Sequence, residues 1–332
     1  MEVSDTPYLI TGGAGFIGSH LADELVRRGD RVTLLDDLST GSLRNVRHLL
    51  DHPAIAFHEG SILDQRVVRP LVAEADAVVH LAASVGVELI VQRPLESLTN
   101  NIRGTEIVLE ACADLGRKVL VASTSEIYGK NSKGPLHEED DRIFGSPFKA
   151  RWSYSAAKAV DEILAYTYWR ERGTPSIVVR LFNTVGPRQT GAYGMVLPRF
   201  VQQALRGEDL TVFGDGGQRR CFCHVRDAVR ALISLLDHPG SRGKVFNVGS
   251  QEEITINDLA ALVLQMTGSS SKVTHVPYEE AYEEGFEDML RRLPDISRIG
   301  ELTGWQPTSS LEEIITDVIA YEKERLPVPE QG

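Results

Sequence analysis

The sequence predicts an α/β fold in which a doubly wound parallel sheet is combined with a smaller C-terminal α/β domain. Short apolar runs alternate with helical patterns from residue 8 onward, which is typical of repeated strand–helix units. A glycine-rich turn separates the first apolar run from the first helical pattern, and polar residues directly follow several later runs. Because ligands of such sheets bind at the carboxyl ends of the strands, these polar residues predict where the functional site lies.

The first strand, turn and helix contain three glycines at a recognisable spacing. An apolar run leads into Gly12, Gly15 and Gly18, a helical pattern follows, and a second apolar run ends at Asp36. This order is the dinucleotide-binding fingerprint in its expected context, so a Rossmann-type domain is expected here. Asp36 would accept hydrogen bonds from the adenosine ribose and would repel a 2′-phosphate, which favours NAD over NADP.

The alternation continues through the first half of the chain. Further strands are predicted near 55–57, 77–83 and 118–122, and a helix is predicted over 105–115. Asn101 precedes that helix, and we interpret it as a helix cap rather than as a structural link to the active site. Repeated units with apolar strands indicate a parallel sheet that is covered on both faces.

The second half contains shorter elements and one strand that returns to the main sheet. The run 176–183 is predicted to be a strand with polar residues at its end, and 244–248 a late strand of the same sheet. We therefore expect an NAD-binding Rossmann domain over 1–185, completed by the late strand. Residues 186–332 would mainly form a substrate-binding domain that is interleaved with the first.

Composition excludes several classes of partner. The chain has 332 residues, 42% of them hydrophobic, and a formal net charge of −12, which argues against nucleic acid or an anionic membrane as the main partner. No apolar run approaches the roughly 20 residues of a membrane span, and the N-terminus lacks a signal-peptide layout. The three cysteines form no C-x-x-C pair, which favours a reducing, cytoplasmic compartment. The nine histidines show no metal-ligand spacing, so no metal is predicted.

The stretch 123–158 carries the residues that predict chemistry. Thr124 follows an apolar run, and Tyr154 and Lys158 lie four residues apart, on one face of a predicted helix. A free tyrosine has a pKa of about 10, and a neighbouring ammonium favours the phenolate. Such a pair can take a proton from a sugar hydroxyl while a hydride leaves the same carbon, and Thr124 would hydrogen-bond the same oxygen.

These motifs together resemble the extended short-chain dehydrogenase/reductase family of nucleotide-sugar epimerases, dehydratases and decarboxylases, over about residues 7–320. The resemblance rests on the glycine turn, 36–41, 123–126, the Tyr154/Lys158 pair, Asn183 and Arg220. It implies a tightly held NAD that serves as an internal redox cofactor while C4 of a nucleotide-linked sugar is oxidised. It also implies a homodimer in which the helices around Thr105 and Tyr154 pack against a twofold mate.

Two features within the family pattern favour decarboxylation. Ser125 and Glu126 stand where the dehydratases carry an Asp–Glu pair, and they are similar to the UDP-glucuronate decarboxylases. Arg292 and the residues after it match a late Arg-x-Pro-Asp motif of the decarboxylases. The resemblance thus implies conversion of UDP-glucuronate to UDP-xylose, with release of some UDP-4-keto-pentose. Glu126 would position the sugar carboxylate or relay a proton through Ser125.

The resemblance also implies binding residues, some of which depart from the family pattern. Ser61 stands where aspartate is common, and the loop 83–88 lacks the proline-rich character of many UDP-xylose synthases. These departures leave a UDP-glucose or UDP-glucuronate 4-epimerase open, and more remotely a non-catalytic sensor of NAD and nucleotide sugars. The expected cofactor-binding residues are Gly12, Gly15, Phe16, Ile17, Asp36, Asp37, Leu38, Ser39, Thr40, Gly41, Ser61, Ile62, Leu81, Ala82, Ala83, Tyr154 and Lys158. The expected substrate-binding residues are Val85, Asn183, Val196, Arg199, Thr211, Phe213, Arg220 and Arg292.

Overall fold

A computed structural model describes residues 6–84, 94–149, 151–191, 195–281, 289 and 291–325. The strands are β1 Pro7–Thr11, β2 Arg31–Asp36, β3 Ile55–Glu59, β4 Ala77–His80, β5 Lys118–Thr124, β6 Ser176–Leu181, β7 Thr184–Val185, β8 Leu210–Phe213, β9 Arg219–Cys221, β10 Cys223–His224, β11 Lys244–Val248, β12 Glu253–Thr255, β13 Val273–Val276 and β14 Arg291–Arg292. The helices are α1 Phe16–Arg28, α2 Gln65–Glu74, α3 Pro94–Leu115, α4 Arg151–Arg172, α5 Val196–Arg206, α6 Val225–Asp237, α7 Ile256–Thr267, α8 Tyr278–Ala281, α9 Ser297–Thr303 and α10 Leu311–Arg325.

The largest sheet confirms the predicted doubly wound architecture. Its strand order is β11-β6-β5-β4-β1-β2-β3, and every neighbouring pair runs parallel. Strand β11 joins this sheet beside β6 although some sixty residues separate the two along the chain, as the late-strand prediction required. The order reverses between β1 and β4, and such a switch point opens a crevice at the carboxyl edge of the sheet.

Alternate residues of the strands build the two faces of the sheet. Leu9 and Val78 belong to a core that includes residues of α2, α3 and α4, whereas Ile10 and Val79 belong to a second core with residues of α1 and α6. This alternation follows from the two-residue period of a strand. Both faces are therefore covered by helices, which explains why the strands read as continuous apolar runs.

The C-terminal elements pack around a third core. Helices α5, α7 and α10 contribute most of its buried side chains, and β8 adds Leu210 and Val212. Strands β9, β12 and β14 form a small sheet beside it, in which Arg292 pairs with Arg220. The structure thereby brings two arginines of distant sequence position onto neighbouring strands.

Helix α3 corrects one prediction. It begins at Pro94 rather than near Thr105, so Asn101 lies inside the helix and is not a cap. Proline is favoured at the first position of a helix, which agrees with a start at Pro94. The many polar residues of 94–104 obscure the hydrophobic period of the helix, so the sequence did not predict this part of it. The buried Asn101 side chain instead accepts a hydrogen bond from the Ser84 amide at 2.8 Å and donates one to the Ser84 carbonyl at 3.3 Å. It is therefore a structural link to the segment that follows β4.

Candidate active site

A cavity of about 480 Å³ lies at the carboxyl edge of the large sheet. The turn after β1 and the segments after β4, β5 and β6 form one wall, and α5, β8, β9 and β14 contribute the other. The cavity brings together residues that are far apart in the sequence, including Gly12, Asp36, Thr124, Tyr154 and Arg292. This is the edge at which polar residues after the strands predicted a site.

The turn between β1 and α1 is shaped for the close approach of an anion. Gly15 is the N-cap of α1, and no side chain caps the helix. The first amides of a helix lack intrahelical partners and, with the helix dipole, favour negative charge. A Cβ at Gly18 would lie only 2.2 Å from the Gly12 carbonyl oxygen, so glycine is required where the helix packs on the turn.

Asp36 is held in place at the end of β2 by two backbone amides. Its carboxylate accepts hydrogen bonds from Ala14 at 2.9 Å and from Leu38 at 2.8 Å. Burial raises the pKa of the Asp36 carboxyl above its ordinary value, and these two amides oppose that rise. Leu38 has a left-handed backbone with φ of 59°, and a Cβ at Gly41 would come within 2.7 Å of Asp36 Oδ1. Leu38 and Gly41 thus lie against Asp36 rather than among the residues that line the cavity.

These features fit the adenosine and pyrophosphate of a dinucleotide. The uncapped start of α1 suits the pyrophosphate, and Asp36 lines the cavity from β2, the position from which an acid reaches a ribose. Ser61 and Ile62 line the same end of the cavity, as do Leu81 to Ala83 after β4. The chain therefore has the residues that an NAD site needs, in one continuous cavity.

The end of β5 positions three of the predicted catalytic residues. Thr124 closes the strand, and Ser125–Tyr128 form a single 3-10 turn. The Thr124 hydroxyl accepts a hydrogen bond from the Glu126 amide at 3.2 Å, which fixes the start of the turn. The predicted Tyr154 and Lys158 lie in α4 and line the same cavity as the turn.

Glu126 faces an arginine from the C-terminal half of the chain. Its Oε1 lies 3.5 Å from Arg292 Nη1, and the two side chains are only 15% and 13% exposed. Arg220 and Asn183 line the cavity from the neighbouring β9 and from the segment after β6. A carboxylate, two guanidinium groups and an amide thus meet in one cavity with Thr124 and Tyr154.

A buried network lies behind the turn Ser125–Tyr128. Glu162 of α4 accepts hydrogen bonds from Ser123 at 2.6 Å and from Arg180 at 2.9 and 2.8 Å. Arg180 also donates to the Tyr128 hydroxyl at 2.8 Å, and Tyr128 donates to Asn247 at 2.7 Å. The network ties both ends of the segment 123–128 to β6 and β11.

The same network reaches the strand that carries Arg292. The Asn247 amide donates to the carbonyls of Leu136 at 2.9 Å and Asp295 at 3.1 Å. Leu136 in turn donates its amide to the Leu293 carbonyl at 2.7 Å. Hydrogen bonds thus connect the turn that carries Glu126 with the residue that follows Arg292.

The far end of the cavity contains a stacked arginine. The Arg199 guanidinium lies 4.2 Å from the centre of the Phe213 ring, and it donates to the Thr211 carbonyl at 2.9 Å. Val196, Arg199 and Phe213 line the cavity, whereas Thr211 supports Arg199 from behind. A planar cation on an aromatic face suits a nucleobase.

Most of the predicted site residues line this cavity, and three of the described ones do not. Leu38, Gly41 and Thr211 lie behind it, and Val85 falls outside the described residues. Several polar or aromatic lining residues were not predicted from the sequence, among them Ser84, Asn100, Gln189 and Tyr278. They carry no motif, and only the tertiary fold brings them to the cavity.

Neither a metal-binding cluster nor a membrane-spanning helix occurs among the described residues. No group of His, Cys, Asp and Glu side chains there is arranged to hold a metal ion. Among the same residues, no helix combines the length and the apolar character that crossing a membrane would need.

Comparisons with known proteins agree with this geometry. A family model described as GDP-mannose 4,6 dehydratase matches residues 9–318. The chain is 43% identical over 318 residues to a UDP-N-acetyl-alpha-D-glucosaminuronate decarboxylase of Bacillus cytotoxicus, covering 95% of this chain and 97% of that protein. It is 36% identical over 320 residues to UDP-glucuronic acid decarboxylase 1 of Xenopus tropicalis, covering 96% and 72%.

A solved structure with bound ligands has a similar fold. The UDP-glucuronic acid 4-epimerase of Bacillus cereus, solved in complex with UDP-glucuronic acid and NAD, superposes with a TM-score of 0.88. It is 28% identical, and the match covers 97% of this chain and 100% of that chain. With a family model that spans most of the chain and relatives well above 30% identity, the chain belongs to the GDP-mannose 4,6-dehydratase family of extended short-chain dehydrogenase/reductase-like enzymes.

Proposed function

We propose that this enzyme decarboxylates UDP-glucuronate after oxidation at C4 and yields UDP-xylose, together with some UDP-4-keto-pentose. The observation that carries this proposal is the pairing of Glu126 with Arg292 in the cavity that also holds Tyr154 and Lys158. The similarity to two named nucleotide-sugar decarboxylases over nearly the whole chain supports it. NAD, when held along the β1–α1 turn and Asp36, would accept the hydride from C4 and return it to C4 of the keto-pentose to give UDP-xylose; release of UDP-4-keto-pentose before that return would leave the cofactor reduced.

Tyr154 is the proposed base for the first step. Its phenolate takes the proton of the sugar 4-hydroxyl, and the Lys158 ammonium on the next turn of α4 favours the phenolate. Thr124 donates a hydrogen bond to the same sugar oxygen. All three side chains line the cavity, so one C4 hydroxyl can meet them together.

Oxidation at C4 makes the substrate a β-keto acid, which loses carbon dioxide readily. The C5–C6 bond breaks, and its electron pair moves into an enolate whose oxygen Thr124 and Tyr154 stabilise. Arg292 is proposed to hold the sugar carboxylate until it leaves, and Arg220 the diphosphate. Glu126, through Ser125, is proposed to direct the proton that returns to C5.

A second candidate concerns the substituent at C2 of the sugar. The relative from Bacillus cytotoxicus is named for a 2-acetamido glucuronate, and its 43% identity exceeds the 36% of the Xenopus enzyme. The steps at C4, C5 and C6 do not involve C2, so the same catalytic residues serve either sugar. UDP-N-acetylglucosaminuronate is therefore the alternative decarboxylase substrate.

The epimerase alternative keeps the same Tyr154, Lys158 and NAD and differs in its product. Purified protein is incubated with UDP-glucuronate and, in parallel, with its 2-acetamido analogue. The masses of the products are then measured by mass spectrometry. A product that is lighter by one carbon dioxide supports decarboxylation and identifies the preferred sugar. A product of unchanged mass with inverted C4 would establish the 4-epimerase instead, and the absence of turnover would favour a sensor.

We also propose a homodimer that uses the outer face of α4. Val160, Ile163 and Tyr166 recur every three residues on that helix and are 37%, 56% and 51% exposed. An apolar stripe of this kind suits a twofold helix pairing in which α3 takes part. Sedimentation at micromolar concentration should give twice the chain mass, whereas a monomeric mass would contradict the proposal.

A cytoplasmic location is proposed from the cysteines. Cys112, Cys221 and Cys223 are all buried free thiols. Burial raises the pKa of Cys112 and of Cys221 to about 12, so both remain protonated and unreactive. Such thiols suit a reducing compartment. Fractionation of cells should recover the protein with cytoplasmic markers, and recovery with an extracytoplasmic fraction would contradict this.

A further inference from the structure

The predicted catalytic lysine has a buried acid as its neighbour. Lys158 Nζ lies 3.0 Å from Asp161 Oδ2, and the two side chains are 3% and 0% exposed. The residues are three apart on α4, so the helix itself holds them in contact. Asp161 does not line the cavity, whereas Lys158 does, which places the carboxylate behind the lysine as seen from the site.

The Asp161 side chain is fully buried, so its charge acts strongly on the groups around it. Burial raises the pKa of the Asp161 carboxyl, and the Lys158 ammonium and the Thr105 hydroxyl oppose that rise. Within the part of the chain that the structure describes, its Oδ1 has no hydrogen-bond partner. A charge that is removed from water in this way interacts strongly with its neighbours, because little solvent screens it.

Other charged or titratable groups surround the Lys158–Asp161 pair. His80 of β4 bonds to Thr105 at 3.1 Å, and burial together with the Lys158 charge lowers the pKa of His80 to about 3. His80 therefore stays neutral in the working pH range. Glu162 also raises the pKa of Asp161, but it is paired with Arg180 at 2.8 Å and with Arg142 at 2.8 Å. Tyr154 and Glu126 line the cavity that Lys158 also lines.

We infer that Asp161 is a positioning residue whose buried carboxylate holds the Lys158 ammonium in place and sets the pH range in which the Tyr154–Lys158 pair works. This inference rests on the proposed roles of Tyr154 and Lys158. Nothing in the sequence motif demands an acid at this position, because the pattern Tyr-x-x-x-Lys ends at Lys158. The geometry assigns the role through the contact with Asp161 and the burial of both groups.

The sign of the effect follows from electrostatics. A negative charge beside two coupled titrating groups favours their protonated forms, so its removal favours loss of a proton from both. When Asp161→Asn removes the charge and retains the shape, Tyr154 should ionise at lower pH. The pH–rate profile expected of such a pair is bell-shaped. Both of its limbs should move to lower pH, by about one unit, the lower end of the range for an adjacent charge.

The control is a second buried acid that is remote from the site. Asp30 has a fully buried side chain and lies 3.2 Å from Arg28, just before β2, at the opposite end of the sheet. Asp30→Asn therefore tests the general cost of neutralising a buried ion pair. It should lower the melting temperature without moving either limb of the profile.

Two readouts distinguish positioning from a purely structural role. The first is the pH dependence of kcat/KM for decarboxylation. The second needs no turnover: the NAD-loaded protein is titrated by ultraviolet absorbance of tyrosinate, and the Tyr154→Phe counterpart is subtracted to isolate Tyr154. If the wild-type enzyme does not decarboxylate, the proposed function fails, but this titration still reads the effect of Asp161.

The expected result is a shift of about one pH unit to lower pH in Asp161→Asn by both readouts, and no shift in Asp30→Asn. A melting temperature that falls equally in both variants while Tyr154 ionises at its wild-type pH would overturn the inference. So would a shift to higher pH. Should the Asn variant fail to fold, Asp161→Glu retains the charge and must ionise Tyr154 at the wild-type pH, and a shift of a full unit there would refute the inference.

Discussion

Substitution of Arg180 directly tests whether the buried network stabilises the turn Ser125–Tyr128. Its side chain is 3% exposed and makes two hydrogen bonds to Glu162, at 2.9 and 2.8 Å. It makes two more, both 2.8 Å long, to the Tyr128 hydroxyl and the Glu138 carbonyl. Although burial opposes its charge, the bonds to Glu162 raise the pKa of Arg180 above its usual value, so the guanidinium stays ionised.

Arg180→Met should destabilise the fold strongly. The change keeps an apolar chain of similar length but leaves the buried Glu162 with Ser123 and Arg142 as its hydrogen-bond partners among the described residues. Removing one partner of a buried ion pair costs about 3–5 kcal/mol, and this sets the expected loss in the free energy of unfolding. The double variant with Glu162→Leu should lose less than the sum of the two single changes, because the buried carboxylate is removed together with its buried partner, and the Arg142 guanidinium that remains is 30% exposed to water.

The assay is urea unfolding monitored by tryptophan fluorescence, with Arg66→Met as the matched control. Arg66 makes the same kind of paired contact to Asp64, at 3.0 and 2.8 Å, but its side chain is 90% exposed. Its loss should not change stability measurably, since solvent screens exposed pairs. If Arg180→Met lowers the unfolding free energy by less than about 1 kcal/mol, the network does not hold the turn as described.

Three further changes address the site itself. Tyr154→Phe should abolish turnover while NAD still binds, because only the proton acceptor is lost; calorimetric NAD titration checks this, and retained turnover would reassign the base. Glu126→Gln should still bind UDP-glucuronate but form product about a hundredfold or more slowly, as expected for a positioned acid–base group, whereas a normal rate would make it structural. Gly18→Ala should weaken NAD binding and destabilise the fold by about 1–3 kcal/mol, since its Cβ would meet a backbone oxygen at 2.2 Å. An unchanged NAD affinity would contradict the proposed pyrophosphate site.

The features that were predicted correctly from the sequence depend on short local patterns of apolar and turn residues. The strand–turn–helix unit around Gly12, the acid at Asp36 and the late strand at 244–248 each follow from apolar runs and turn residues, and the structure confirms their positions. Tyr154 and Lys158 were predicted from their helical spacing, from the strand end at 123–126 that precedes them and from the family resemblance, and both line the cavity.

Other features depend on long-range packing and left no local signal. Asn101 was interpreted as a cap because the polar start of α3 conceals its period, and only the fold shows its bonds to Ser84. The contact between Glu126 and Arg292 joins residues on separate halves of the chain. Asp161 had no predicted role, because the burial that gives its charge importance is a property of the packed helices.

One single-turnover experiment tests the order of events in the proposed reaction most directly. Enzyme in excess is mixed with UDP-glucuronate that carries a carbon label in its carboxyl group, and reduced-cofactor absorbance and labelled carbon dioxide are followed together. The account predicts that the absorbance rises first and that labelled carbon dioxide then appears in an amount equal to the substrate consumed. Carbon dioxide release with no preceding rise in absorbance, or a rise followed by a product that keeps its label, would contradict decarboxylation through C4 oxidation.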